Sequence, residues 1–91
     1  MKYSYNTFGT CSAQIIFDVE DELRNGTTVK VVRSVEFLGG CSGNLQGIGR
    51  LVEGMPVEDV IARLRGIDCG GKGTSCPDQL SRALRAVLDK Q

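Results

Sequence analysis

The chain has 91 residues, enough for one domain with a small core, because a chain of this length buries only about 60–65% of the surface that its unfolded form exposes. Its 11 basic and 11 acidic side chains cancel without forming runs, so nothing in the charge pattern indicates binding to nucleic acid or to an anionic membrane. No apolar stretch approaches the ~20 residues that span a bilayer, and the segment from Met1 to Asn6 lacks the apolar core of a secretory signal. We therefore expect a cytoplasmic protein with a single domain over residues 1–91.

The N-terminal part of the chain shows the two-residue period of β-strands. The clearest strand pattern places four apolar residues on one face: Ala13, Ile15, Phe17 and Val19. A second pattern, interrupted by Arg33, also places four on one face: Val29, Val31, Val35 and Phe37. Asn25-Gly26 supplies hairpin-turn chemistry between the two runs. The alternation of Tyr3, Tyr5 and Thr7 with polar residues predicts a third strand.

Beyond Cys41 the apolar residues follow helical spacing. The first helical stripe, ended by Gly54, consists of Leu45, Ile48, Leu51 and Val52. The second begins at Met55-Pro56, ends at Gly66 and consists of Val57, Val60, Ile61 and Leu64. The third consists of Leu80, Ala83, Leu84, Val87 and Leu88. Gly47 and Gly49 inside the first helix each cost about 1 kcal/mol relative to alanine, which predicts a close approach to the sheet.

Strands followed by helices indicate an α+β fold. We expect a small antiparallel sheet of two or three strands, covered on one face by three helices.

Four cysteines in a chain without histidine are the candidate functional residues: Cys11, Cys41, Cys69 and Cys76. Cys41 follows two glycines at the predicted change from strand to helix. Cys76 lies at a predicted helix start, where Ser75 and Asp78 have capping-box spacing and Pro77 suits the first turn. The N-terminus of a helix favours the thiolate, the form that binds metals and reacts.

In a reducing compartment, cysteines serve more often as metal ligands or redox groups than as disulfides. Four thiolates that converge make a tetrahedral site for zinc, and the same ligands hold iron-sulfur clusters. Two alternatives stay open at this point, because the chain has no C-x-x-C pair. The cysteines could instead be small buried hydrophobic residues, or two of them could form a thiol redox pair.

The segment from Cys69 to Leu80, which contains Thr74-Ser75-Cys76-Pro77-Asp78, resembles the TSCPD domain family, as does Gly39-Gly40-Cys41-Ser42-Gly43-Asn44. The resemblance runs from about Tyr5 to Val87. It implies kinship with the C-terminal domain of adenosylcobalamin-dependent ribonucleotide reductases, and so a link to deoxyribonucleotide synthesis and a possible reductase partner. It does not imply reductase activity, since the catalytic barrel of those enzymes cannot fit in 91 residues.

The order of hairpin, Gly-Cys turn, helices and a cysteine that opens the last helix also resembles the U-type scaffold proteins for iron-sulfur cluster assembly. This likeness implies that Cys11, Cys41 and Cys76 correspond to the scaffold's ligands, with Cys69 as a fourth thiolate. Ser12-Ala13 replace the scaffold's Gly-Asp, and Ser75 replaces its histidine. These differences favour a closed, structural site over cluster transfer.

Two other patterns are interpreted as structural. Gly66 to Lys72 fits G-x-x-x-x-G-K, but Gly73 stands where the magnesium-binding hydroxyl belongs and a predicted helix precedes the motif, which argues against a P-loop. The acidic cluster of Asp18, Glu20, Asp21 and Glu22 is expected to lie at a solvated strand end and turn.

Overall fold

The computed structural model describes residues 1–7, 12–39, 42–68, 71 and 73–89. Three strands precede three helices in these residues: β1 Lys2–Asn6, β2 Ser12–Arg24, β3 Thr27–Gly39, α1 Ser42–Val52, α2 Val57–Leu64 and α3 Cys76–Asp89. The strands form one antiparallel sheet in the order β1-β2-β3. The predicted α+β class and the third strand are confirmed.

The hairpin of β2 and β3 turns at the predicted dipeptide. Asn25 and Gly26 have φ values of 51° and 80°, and two positive φ values are what a two-residue type I′ turn needs. Both strands are longer than predicted, so Glu20, Asp21 and Glu22 lie within β2. Their expected position at a strand end and turn was therefore wrong.

A register shift in the hairpin changes which valines of β3 face the core. Asp18 pairs with Ser34, whereas Val19 pairs with Val32, which leaves Arg33 as an extra residue. An extra residue reverses the alternation of side chains along the strand. The prediction that Val29, Val31, Val35 and Phe37 share one face was therefore wrong.

Because of the register shift, Val32 faces the core, where it is fully buried and packs with Val19. Val31 is also fully buried, and its backbone forms a bridge with Pro56. The backbone of Val32 donates to the carbonyl of Met55 at 3.0 Å and accepts from Gly54 at 2.6 Å. The segment before α2 thus pairs with the outer edge of β3, which protects part of this edge from other strands.

The two glycines within α1 have different surroundings. A Cβ atom on Gly49 would lie 2.9 Å from the carbonyl oxygen of Val35, so the predicted close approach to the sheet is confirmed there. A Cβ atom on Gly47 would meet nothing within 4 Å. Leu51, predicted on the buried stripe, is 78% exposed, because α1 packs on β3 through the side that carries Leu45 and Gly49.

The hydrophobic core joins the inner face of the sheet to all three helices. Its buried members form one cluster: Ile15, Phe17, Val19, Val32, Val52, Val57, Val60, Ile61, Leu80, Ala83, Leu84 and Val87. Tyr3 of β1 stacks on Phe17 with 5.5 Å between ring centroids. The predicted inner faces of α2 and α3 are confirmed, with Leu64 and Leu88 half-buried at their margins.

Candidate functional site

Of the four candidate ligands, the structure describes one. Cys76 is the first residue of α3, as predicted, and its side chain is only 6% exposed. Cys11, Cys41 and Cys69 lie outside the described residues. The structure does describe residues next to them in the chain: Ser12, Gly39, Ser42 and Asp68.

The flanks of Cys11 and Cys41 lie side by side at the open end of the hairpin. Ser12, which directly follows Cys11, is the register partner of Gly39 across the β2–β3 ladder. Partners in an antiparallel ladder have Cα atoms about 4.5–5.5 Å apart. From Gly39 the chain needs only two residues to reach Ser42, where α1 begins, so Cys41 precedes this helix directly in sequence, as predicted.

The loop that contains Cys69 has its two ends tied together. The backbone N–H of Gly73 donates to the Asp68 carboxylate at 2.6 Å. Asp68 directly precedes Cys69, and Gly73 lies three residues before Cys76. The bond therefore holds the chain on both sides of Cys69 close to the start of α3.

The start of α3 has the serine cap that the sequence predicted, but only one of the two hydrogen bonds of a capping box. The hydroxyl oxygen of Ser75 accepts the backbone N–H of Asp78 at 3.1 Å. In a capping box, the acidic side chain would also accept the backbone N–H of the cap residue. The Asp78 carboxylate instead accepts from the Thr74 hydroxyl at 2.6 Å and from the backbone N–H of Gly66 at 2.7 Å.

Asp78 is the most heavily bonded carboxylate among the described residues and is only 3% exposed. The third partner of its carboxylate is Arg82, one turn later on α3, with Nε 3.0 Å from a carboxylate oxygen. Burial by itself raises the pKa of the Asp78 carboxyl, but the hydrogen bonds from Thr74 and Gly66 and the charge of Arg82 outweigh it. They hold this pKa below its ordinary value of 3.8.

Two further side chains complete this polar cluster. The Gln79 amide donates to the Thr74 hydroxyl oxygen at 2.9 Å, and the Ser81 hydroxyl donates to the carbonyl of Asp78 at 2.6 Å. Thr74, Gln79 and Ser81 are all buried. No buried side-chain nitrogen or oxygen of the described residues lacks a hydrogen-bond partner. Asp78 therefore joins the end of α2, through Gly66, to the first turn of α3 that carries Cys76.

Sequence reasoning identified Ser75 and Asp78 as helix-capping residues but missed the roles of Thr74, Gln79 and Arg82. The i, i+4 spacing of Asp78 and Arg82 was a visible signal for the ion pair. The bond from Gly66 to Asp78 had no sequence signal, because it depends on how α2 ends beside α3.

The prediction of a shared cysteine site remains a prediction. Among the residues that the structure describes, no three His, Cys, Asp or Glu side chains form a group that could hold a metal ion. Three of the four predicted ligands, Cys11, Cys41 and Cys69, lie outside those residues.

One premise of the argument against a P-loop is confirmed. Helix α2, and not a strand, precedes Gly66. The backbone N–H groups of Gly66 and Gly73 donate to the carboxylates of Asp78 and Asp68, so two negative charges occupy donors that a P-loop would offer to phosphate.

The acidic side chains of β2 form ion pairs on the surface. Asp21 accepts from Lys30 at 3.0 Å, and Glu22 lies 3.0 Å from Arg33 and 3.1 Å from Arg24. The expectation of a solvated cluster is compatible with these half-exposed pairs.

None of the described helices has the length and apolar character needed to cross a membrane.

Comparison with known proteins gives one match. The family model described as the TSCPD domain matches residues 1–88 of this chain. No curated protein and no solved structure shows significant similarity to it, and the likeness to iron-sulfur scaffold proteins is not supported by any match.

Proposed function

Because this chain belongs to the TSCPD domain family, whose domains are related to ribonucleotide reductases, we propose that it is a small metal-binding accessory module of such a reductase. Its metal would be zinc or an iron-sulfur cluster held by four thiolates: Cys11, Cys41, Cys69 and Cys76. The module would provide structure and a binding surface to its partner and would not carry out the reduction itself.

The observation that carries this proposal is the register of the hairpin. Cys11 and Cys41 are far apart in sequence, yet the residues that flank them, Ser12 and Gly39, are partners in the ladder. The described strand ends that lead to these two cysteines thus lie side by side, which favours one ligand shared by both thiols. A pair of cysteines serving only as unrelated hydrophobic residues would not need this arrangement.

The second half of the proposed site lies at the start of α3. The bond between Gly73 and Asp68 ties the chain on both sides of Cys69, and the Asp78 cluster fixes the turn that carries Cys76. These hydrogen bonds support the proposal because a metal site needs ligands whose positions are held by their surroundings.

The donor set suits zinc and iron better than magnesium or calcium, because thiolates are soft ligands. A structural metal would stabilise a domain whose hydrophobic core is small, since the unfolded chain has no preformed site. When bound, the group would cross-link the open end of the hairpin to the first turn of α3.

Elemental analysis of protein purified without oxygen tests the metal site. We expect about one zinc, or one coloured cluster, per chain, and we expect each of the four Cys→Ser variants to lose it. Leu51→Ser is a matched control, because it places the same side chain at an exposed position of α1 and should keep the metal.

Other results would replace the proposal. Absence of metal from every anaerobic preparation would remove the metal site. A reversible disulfide in folded, metal-free protein would identify a thiol redox partner, and transfer of a cluster to an apo-acceptor would identify a carrier.

The proposed partner needs a separate experiment. We expect a ribonucleotide reductase to co-purify with the tagged protein under anaerobic conditions, and the interaction to weaken in the Cys→Ser variants if the metal shapes the binding surface. Binding of metal without any association with the reductase would retain the site and reject the partner.

A further inference from the structure

The carboxylate of Asp78 holds both ends of one segment of the chain. This segment runs from Gly66, just beyond α2, to Thr74, just before α3, and its sequence includes Cys69. One carboxylate oxygen, Oδ1, accepts the backbone N–H of Gly66 at 2.7 Å, and the other, Oδ2, accepts the hydroxyl of Thr74 at 2.6 Å. The two ends of the segment are therefore bonded to the same side chain on the first turn of α3.

The bonds from Asp78 to the segment do not cap α3. Ser75 provides the side-chain cap, because its hydroxyl oxygen accepts the backbone N–H of Asp78 at 3.1 Å. The carboxylate of a capping box would accept the backbone N–H of Ser75. The Asp78 carboxylate is directed at Gly66 and Thr74 instead, so it acts on the segment and not on the end of the helix.

The bond between Asp78 and Thr74 lies in the protein interior, where water cannot easily replace it. Asp78, Thr74 and Gln79 are 3%, 5% and 1% exposed. The Thr74 hydroxyl donates to Asp78 and accepts from the Gln79 amide at 2.9 Å, so it is bonded on two sides. Arg82 Nε lies 3.0 Å from the same Oδ2 atom and offsets the buried negative charge.

A second carboxylate acts on the same segment. Asp68, the residue before Cys69, accepts the backbone N–H of Gly73 at 2.6 Å. Gly73 directly precedes Thr74, which is bonded to Asp78. The residue before Cys69 is therefore joined, through Gly73 and Thr74, to the turn that begins with Cys76.

We propose that Asp78 is a positioning residue of the cysteine site, which holds the chain on either side of Cys69 to the turn that begins with Cys76. Its carboxylate acts on the ligands and not on the metal, because both of its oxygens already accept hydrogen bonds. The inference rests on the proposed function in one respect, since it takes Cys69 and Cys76 as members of one site. Substitution of residues that orient metal ligands typically lowers metal affinity or activity by about 10–100-fold.

Cobalt(II) is the probe for this role, because it enters tetrahedral thiolate sites and its visible absorption spectrum depends on their geometry. Asp78→Asn keeps the shape of the side chain and replaces one carboxylate oxygen by an amide group. We expect it to shift the cobalt spectrum and to lower the cobalt affinity by about 10–100-fold, while circular dichroism shows an intact fold. Asp89→Asn is the matched control, because it makes the same change on the same helix at a side chain that is 70% exposed. It should leave both the spectrum and the affinity unchanged.

A pair of substitutions at Thr74 separates positioning from a general loss of stability. Thr74→Val removes the hydroxyl that donates to Asp78 and should weaken cobalt binding. Thr74→Ser keeps a hydroxyl at the same position and should retain most of the wild-type affinity. If Asp78→Asn does not fold, this pair decides the outcome, and equal losses in the two Thr74 variants would contradict the inference.

A measurement without metal distinguishes failure of this inference from failure of the proposed function. In a Cys11→Ser, Cys41→Ser background, dibromobimane becomes fluorescent when it bridges the two remaining thiols, Cys69 and Cys76. We expect bridging in this background, slower bridging when Asp78→Asn is added, and no further change when Asp89→Asn is added instead. Bridging that depends on Asp78 in a protein that never binds metal would support the inference and reject the metal site.

Three results would overturn the inference. The first is a cobalt spectrum and affinity in Asp78→Asn that equal those of the wild type, which would retain the metal site and reject the role of Asp78. The second is an equal change in Asp78→Asn and Asp89→Asn. The third is bridging of the two thiols that is absent, or that Asp78→Asn leaves at the same rate.

Discussion

Two clusters among the described residues each join a carboxylate to arginine, and they differ in burial. In one cluster, at the start of α3, the Asp78 carboxylate is buried and accepts from a hydroxyl, a backbone N–H and a guanidinium. In the other, on the hairpin, Glu22 bridges Arg24 and Arg33 with all three side chains substantially exposed. Water can replace any partner in the hairpin cluster, whereas it cannot easily reach the Asp78 cluster. Burial, and not the number of charges, should therefore decide which cluster holds the fold together.

The largest expected effect is that of Asp78→Ala. The change leaves the Thr74 hydroxyl, the Gly66 N–H and the Arg82 guanidinium without their acceptor, and we expect unfolding to become easier by about 3 kcal/mol. Urea denaturation followed by circular dichroism measures this free energy. A loss below that of Glu22→Ala would contradict the view that burial decides which cluster stabilises the fold.

The dependence of stability on pH should reveal the contribution of the same Asp78 carboxylate. Because the folded-state pKa of Asp78 is below 3.8, its contribution is complete above the unfolded pKa and is lost as the pH falls from about that value through the folded pKa. Wild-type stability should therefore decline below about pH 4 more steeply than that of Asp78→Asn. If the free energy of unfolding fell equally steeply below about pH 4 in both proteins, Asp78 would not be a major source of this decline.

Two glycines of α1 test whether burial matters in the same way without charge. Gly49→Ala forces a Cβ atom against the Val35 carbonyl and should destabilise the protein by about 1–3 kcal/mol. Gly47→Ala meets open space and should stabilise α1 by about 0.5–1 kcal/mol. Thermal denaturation of the pair, with opposite signs expected, is the measurement, and shifts of equal sign would contradict the packing of α1 on β3.

Ser75→Ala removes the helix cap while keeping the Asp78 carboxylate. One N–H of the first turn of α3 loses its acceptor, and the expected cost is about 1 kcal/mol. Chemical denaturation of Ser75→Ala beside Asp78→Ala separates the contribution of the cap from that of the carboxylate. A cost equal to that of Asp78→Ala would mean that the two residues act as one unit.

The smallest effect is expected for Glu22→Ala on the hairpin. Its two ion pairs are exposed to solvent, and such pairs contribute about 0–1 kcal/mol in total. The cost should decrease further at high salt, because salt screens exposed charges. A loss comparable with that of Asp78→Ala would show that the hairpin charges have a structural role that their exposure does not suggest.

Much of the fold was determined by local sequence. The two-residue period predicted β2 and β3, Asn25-Gly26 predicted their turn, and the helical stripes predicted α2 and α3, because each of these signals depends on neighbours within a few residues. Ser75 and Pro77 likewise marked the start of α3, where the structure places Cys76. The TSCPD motif was visible in the same way.

Tertiary structure alone decided how these elements meet. The extra residue at Arg33 turned Val32 toward the core, the packing of α1 on β3 exposed Leu51 and brought Gly49 against Val35, and the end of α2 placed Gly66 on Asp78. Each depends on contacts between residues distant in the chain, which periodicity cannot encode. Local sequence was enough to identify the candidate cysteines and to place Cys41 and Cys76 at helix starts. The ladder between Ser12 and Gly39 depends on the folded sheet, because only the sheet brings these two positions side by side.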